Sequence, residues 1–239
     1  MSGKIIKFND YIKNIALLKY EEKIKLLTDQ NQELKEYIIK CLMFALYCKD
    51  DYTHGHSIRV AYYSKLIGEA IGLTKDEMHI LKVSTLFHDI GKIGVPDSVL
   101  QKPTRLDENE FNIMKEHPEI SAKILEDYNE FKDISKFAKH HHERFDGRGY
   151  PSGLKGEDIP LYSRIILIGD TFDAMTSTRP YRKGLPEQVA YDELEEFSGS
   201  QFDPYLTKKF IKAMQSDLLN GDNEFECDIT GAKQFKIAA

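Results

Sequence analysis

The chain has 239 residues, 41% of them apolar and 11% aromatic, which is enough to bury one large core and excludes wholesale disorder. Its 33 basic and 39 acidic side chains leave a net charge of -6, so no global basic field exists to hold duplex nucleic acid, and any anion site must be local. Cys41, Cys48 and Cys227 make no disulfide framework, the longest strongly apolar run (Cys41 to Cys48) falls far short of the roughly 20 residues of a membrane span, and the first residues hold no apolar signal core, so a cytoplasmic protein without a membrane partner is expected.

In residues 1–49, Leu17, Tyr20, Ile24, Leu27, Asn31, Leu34, Ile38 and Cys41 alternate spacings of three and four. That is the seam of a coiled coil, with Leu17, Ile24, Asn31 and Ile38 at one core position. It suits either a homodimer or a long helix packing on its own domain. Further on, Ile58, Ala61, Tyr62, Leu66, Ala70 and Ile71 recur at helical spacing, with Gly72 as the stop. Thr74 and Glu77 form a capping box for the next helix, which ends near Ile90-Gly91, and Asp107 and Glu110 form another. Proline and glycine crowd between Gly147 and Pro160, which marks a structured loop. The run from Leu161 to Met175 begins like a strand, yet Phe172, Ala174 and Met175 keep helical spacing, so a buried helix is expected. No alternating strand pattern recurs, and the fold class is all-α. Residues 50–216 read as the main domain, and the tail at 217–239 carries no assigned function.

Three motifs carry chemistry. His88-Asp89 closes an apolar helix, where a lone charged carboxylate would cost several kcal/mol, so Asp89 must be paired or metal-bound. Adjacent helical residues point about 100° apart, so both grip one ion only if it lies between them, whereas one carboxylate can bridge two cations. His141-His142-Glu143, running into Gly149-Tyr150-Pro151, suits neutral nitrogen donors with carboxylates to orient them. Asp170 and Asp173 lie three apart on one face of an apolar helix, and a helix-capping or salt-bridge role suits Asp173 better than Asp170. Singly, each pattern also fits an ordinary surface or core pair.

Together they change the reading. His56-Ser57-Ile58-Arg59-Val60, His88-Asp89-Ile90-Gly91-Lys92, His117-Pro118, His141-His142-Glu143 through Gly149-Tyr150-Pro151, Asp170 to Asp173, Arg179-Pro180-Tyr181-Arg182 and Phe202-Asp203-Pro204 stand in the order and spacing that resembles the HD-GYP phosphodiesterases, over about residues 50–214. The resemblance implies an HD-superfamily helical domain with extra helices and a GYP loop, preceded here by a long N-terminal helix. It implies hydrolysis of cyclic di-GMP at a dinuclear or trinuclear centre, usually of iron or manganese.

Carried over residue by residue, the implied metal ligands are His56, His88, Asp89, His117, His141, His142 and Asp170, with Asp89 bridging. Such a set without thiolate suits Fe or Mn and admits Zn. Lys92 would assist catalysis, Arg179 and Arg182 would clamp phosphate, and Tyr150 would lie in a loop that serves substrate access or contact with a diguanylate cyclase domain. His54 and His140 read as bystanders and His79 as structural. Ser121 stands where a glycine is common and is expected to cause a small packing adjustment. Trinuclear members use a glutamate four residues before the first histidine; here that position is Tyr52, whose phenol has a pKa near 10 and is a poor ligand. Two divalent ions are therefore expected, one among His56, His88, Asp89 and Asp170, the other among Asp89, His117, His141 and His142. The alternatives are hydrolysis of another cyclic dinucleotide such as cyclic GMP-AMP, or a catalytically silent receptor; a complete ligand set favours the enzyme.

Overall fold

Local chemistry sets the helix boundaries. In the computed structural model, α1 (Ser2–Lys49) precedes α2 (Asp51–Ile71), which stops before Gly72 at φ +81°. The Thr74 hydroxyl accepts the Glu77 N–H while the Glu77 carboxylate accepts the Thr74 N–H, opening α3 (Lys75–Phe87) with a full capping box. Asp107 and Glu110 do the same for α5 (Glu108–Met114), which follows the single turn of α4 (Asp97–Leu100). Then come α6 (His117–Glu126), α7 (Lys132–Lys139), α8 (Leu161–Thr176), α9 (Glu187–Glu196) and α10 (Pro204–Asn220). Helix α3 ends slightly earlier than expected, at Phe87, and Ile90–Gly94 forms a 3-10 turn, which leaves His88 and Asp89 at the junction. The strand-like run does form the buried helix α8.

The structure describes residues 2–49, 51–178, 183–220, 224–225 and 235–236, with side chains for 19–31, 33–34, 37–46, 48–49, 55–178 and 183–216. Tyr52 and His54 lie on α2, but their side chains fall outside the described ones, as do Arg179 and Arg182 altogether. Two strands of two residues, β1 (Glu224–Phe225) and β2 (Phe235–Lys236), pair antiparallel in the tail; a two-residue strand offers no alternation from which to recognise it. No described helix is long and apolar enough to cross a membrane.

The chain divides into two compact units, residues 1–42 and 43–239. Of the expected seam in the first unit, Tyr20, Ile24, Leu27 and Leu34 are each more than half exposed. In the second unit, α2 packs against α3, α8 and α10, and α6 against α7 and the 3-10 turn. Phe172 of α8 centres the core. Its ring meets Tyr63 edge-on at 5.0 Å and Phe210 at 5.1 Å, and stacks on Tyr191 at 5.3 Å. Helix α8 comes close to α2 at Gly169, where a Cβ would lie 3.3 Å from the Tyr63 Cβ and 3.4 Å from Val60. That close approach brings the next residue, Asp170, to the α2 face that carries His56. Truncating Phe172→Ala should lower unfolding stability by about 3–5 kcal/mol in a urea titration, since the cavity opens among rings that have no room to collapse.

Candidate metal centre

The helix ends supply the candidate ligands. His88 follows α3, His117 opens α6 directly after α5, and His141 follows α7. Their Nδ1 atoms lie 2.6 Å from the Thr85 carbonyl oxygen, 2.7 Å from that of Met114 and 2.5 Å from that of Ala138, in each case three residues back. Those carbonyls belong to the last turns of α3, α5 and α7, where the helix leaves them without an internal partner. A carbonyl only accepts, so each imidazole carries its proton on Nδ1 and keeps the Nε2 lone pair for something else.

The lone pairs converge on Asp89. Its Oδ1 lies 3.2 Å from His117 Nε2 and 3.8 Å from His141 Nε2, while Oδ2 lies 3.3 Å from His88 Nε2 and 3.7 Å from His56 Nε2. Each oxygen faces a different pair of imidazoles. One ligand atom from each of Asp89, His117, His141 and His142 lies within 4.8 Å of the others, and the same holds for His56, His88 and Asp170. The Nε2 atoms of His117 and His141 stand 3.3 Å apart, and that of His88 is buried without a hydrogen-bond partner. For neutral rings protonated on Nδ1, such proximity sets lone pair against lone pair. A cation between them removes the conflict, so the donors fit divalent metal ions.

Electrostatics follow from this crowding. Burial pushes His141 well below the ordinary imidazole range and takes His142 down to about 3, so both are neutral donors. Burial opposes charge on His56 too, but hydrogen bonds to Asp170 and Asp173 outweigh it and raise His56 to about 9. Burial would raise the Asp89 carboxyl, yet the charge of the Lys92 ammonium beside it holds it well below the carboxylate range. Asp170 is likewise held low against its burial by His56.

Several supporting contacts had no clear signal in the sequence. Asp173, fully buried, places Oδ2 2.7 Å from His56 Nδ1, which orients the ring, and accepts from Arg59 Nε at 2.5 Å; the sequence suggested a salt bridge for Asp173 but not these partners. Ser121 does more than adjust packing: its hydroxyl accepts the Gly91 N–H at 2.8 Å and donates to the His88 carbonyl at 2.9 Å, clamping the 3-10 turn to α6. Glu143 differs from the sequence expectation. Instead of orienting His141 or His142, its buried carboxylate accepts the N–H groups of Ser152 and Leu154 and holds the loop that carries Tyr150. The Tyr150 ring lies 4.9 Å from that of His142. His140 joins neither ligand group and sits 3.5 Å from Glu143, and His79 is exposed.

A cavity of about 700 Å³ opens over these residues, within the range of small-molecule sites. His56, Asp89, His117, His142 and Asp170 line it, with Lys92 and Tyr150. The Lys92 ammonium lies 2.5 Å from Asp89 Oδ2.

Known proteins resemble this chain in sequence and fold. A family described as "HD domain" matches residues 25–206. The cyclic di-GMP phosphodiesterase response regulator RpfG of Xanthomonas campestris pv. campestris is 38% identical over 197 residues, covering 82% of this chain and 52% of that protein. The 3'3'-cGAMP-specific phosphodiesterase 3 of Vibrio cholerae is 37% identical over 185 residues, covering 76% of this chain and 40% of that protein. The chain thus spans about half the length, or less, of these curated relatives. A crystal structure of a cyclic GMP-AMP specific phosphodiesterase of V. cholerae has the same fold, with a TM-score of 0.60 at 20% identity, over 78% of this chain and 50% of that one.

The contact between the 3-10 turn and α6 gives a direct test of the geometry. A Cβ on Gly91 would lie 2.0 Å from the His117 carbonyl oxygen and 2.5 Å from the Ser121 nitrogen. Gly91→Ala should push the turn off α6 and part Asp89 from His117. Elemental analysis should find metal content reduced to less than half of wild type, with helical circular dichroism retained.

Proposed function

The chain belongs to the HD-domain family, with the motifs of its HD-GYP branch, and from that premise we propose that it is a metal-dependent phosphodiesterase that hydrolyses cyclic di-GMP to pGpG, GMP or both. The observation that carries this reading is the division of Asp89, one oxygen toward His117 and His141 and the other toward His56 and His88. In this reading two divalent ions, iron or manganese, are held by His56, His88, Asp89 and Asp170 and by Asp89, His117, His141 and His142. Such ions supply Lewis acidity at a phosphate oxygen and bring water toward ionisation near neutral pH.

The chain's own groups do the rest. Asp173 and Arg59 keep His56 turned inward, and the three helix-end carbonyls keep the other lone pairs aimed at Asp89. Lys92 holds an ammonium at the cavity edge, where it meets charge developing on the phosphate. Tyr150, pinned through Glu143, forms one side of the cavity. Arg179 and Arg182 clamp phosphate by analogy with the family, and the Tyr150 loop is the surface a diguanylate cyclase domain would meet. Hydrolysis of cyclic GMP-AMP is the second reading, favoured by the V. cholerae relative named for that substrate. Filled positions at all seven expected ligands argue against a silent receptor.

Incubation of metal-loaded protein with cyclic di-GMP, with products separated by chromatography, tests the activity. Asp89→Ala should abolish hydrolysis and strip the metal while leaving helical circular dichroism largely intact. Lys92→Ala should retain the metal and lose about 100-fold or more in rate, the scale of losing one transition-state charge donor.

Pairing of two chains through the exposed seam of α1 is part of the same proposal. A parallel two-stranded coil would set Asn31 against its symmetry mate and fix the register. Light scattering at micromolar concentration should then report a dimer, and Asn31→Leu should change its stability or its order. A monomer would overturn the pairing.

A further inference from the structure

The cavity has a second wall that the chemistry above leaves unused. Residues 101–106, which follow α4, and Phe111 and Met114 of α5 form it. Among the described residues, three cations line the cavity: Lys92, Lys102 and Arg105. Lys92 is bonded to Asp89. Lys102 reaches both carboxylate oxygens of Glu110, at 2.7 and 2.5 Å, and is neutralised there. Arg105 is exposed and makes no ion pair among the described residues.

Its position is built. Glu110 binds the Lys102 ammonium and also accepts the Asp107 N–H at 2.8 Å, so one carboxylate ties both ends of the strap from 102 to 107. Pro103 restricts the strap further by fixing its own φ. Arg105 stands between the two ties, on the wall of the cavity.

A cyclic dinucleotide carries two phosphodiesters on one macrocycle, and only one is at the metal ligands when it is cleaved. The other enters a cavity whose wall includes Val99, Leu100, Leu106 and Met114, where an uncompensated anion is costly. A guanidinium matches a phosphate with two parallel donors. We propose that Arg105 is a specificity residue that receives the phosphodiester not being cleaved, held for that task by Glu110. The inference rests on the phosphodiesterase reading above. It makes the α4–α5 strap the element that distinguishes a two-phosphate substrate from a simple phosphodiester.

The test compares cyclic di-GMP, with two phosphodiesters, and bis(p-nitrophenyl) phosphate, with one, on the full metal-loaded chain. Arg105→Ala should lower the ratio of the two kcat/KM values at least tenfold against cyclic di-GMP, chiefly through KM, with metals per chain as in wild type. Arg105→Lys should fall between, because one point charge replaces a fork. Glu110→Gln should move the ratio in the same direction as Arg105→Ala by freeing the strap. An unchanged ratio in Arg105→Ala, or equal losses on both substrates, overturns the inference alone. A wild-type chain that cleaves bis(p-nitrophenyl) phosphate but no cyclic dinucleotide overturns the cyclic-dinucleotide substrate proposed above, and the role of Arg105 with it.

Discussion

A buried carboxylate facing three imidazole lone pairs and the His56 ring is the constraint around which the second unit is arranged. Asp89 is almost wholly out of water, and so are His56, His88, His117 and His141. Such a group is tolerable only when positive charge is close by, and Lys92 supplies one unit of it. The neighbouring backbone also comes very near. Gly91 leaves no room for a side chain between the 3-10 turn and α6, and Gly169 lets α8 lie against α2. Both glycines sit beside a ligand-bearing residue or turn, and in both cases proximity decides the residue type.

The aromatic core and the metal centre share the same helices. Phe172 and Asp173 are neighbours on α8, one turned into the cluster of Tyr63, Tyr191 and Phe210, the other bonded to His56 and Arg59. On α2, His56 and Tyr63 stand two turns apart and meet those same two residues. Packing between α2 and α8 thus sets the distance between ligands, because interiors this dense transmit small displacements instead of absorbing them.

Much of this was legible in the sequence where the cause was local. Both capping boxes follow from residues three apart, and the periodicity of Phe172, Ala174 and Met175 identified α8 against a strand-like start. The candidate ligands were readable as motifs, and the structure brings all seven together in two groups that could each hold a metal ion. Contacts between distant residues were not readable. Arg59 and Asp173 are 114 positions apart and Ser121 reaches 30 back to Gly91, separations across which a single chain shows no pattern. Glu143 was misread for a related reason: beside two histidines it looks like their partner, and only the folded loop reveals that Ser152 and Leu154 claim it.

The three carbonyls that hold His88, His117 and His141 have a consequence for motion. Each belongs to the last turn of its helix, the part of a helix that frays most readily. With an imidazole hydrogen-bonded to that turn, a cation held by its other nitrogen would have to be released before the turn could unravel. Ligand loss and local opening of α3, α5 and α7 then become one event. Amide exchange in those three helix ends would slow together when the centre fills, so that the metal acts on the chain as a shared rivet across segments that are far apart in sequence.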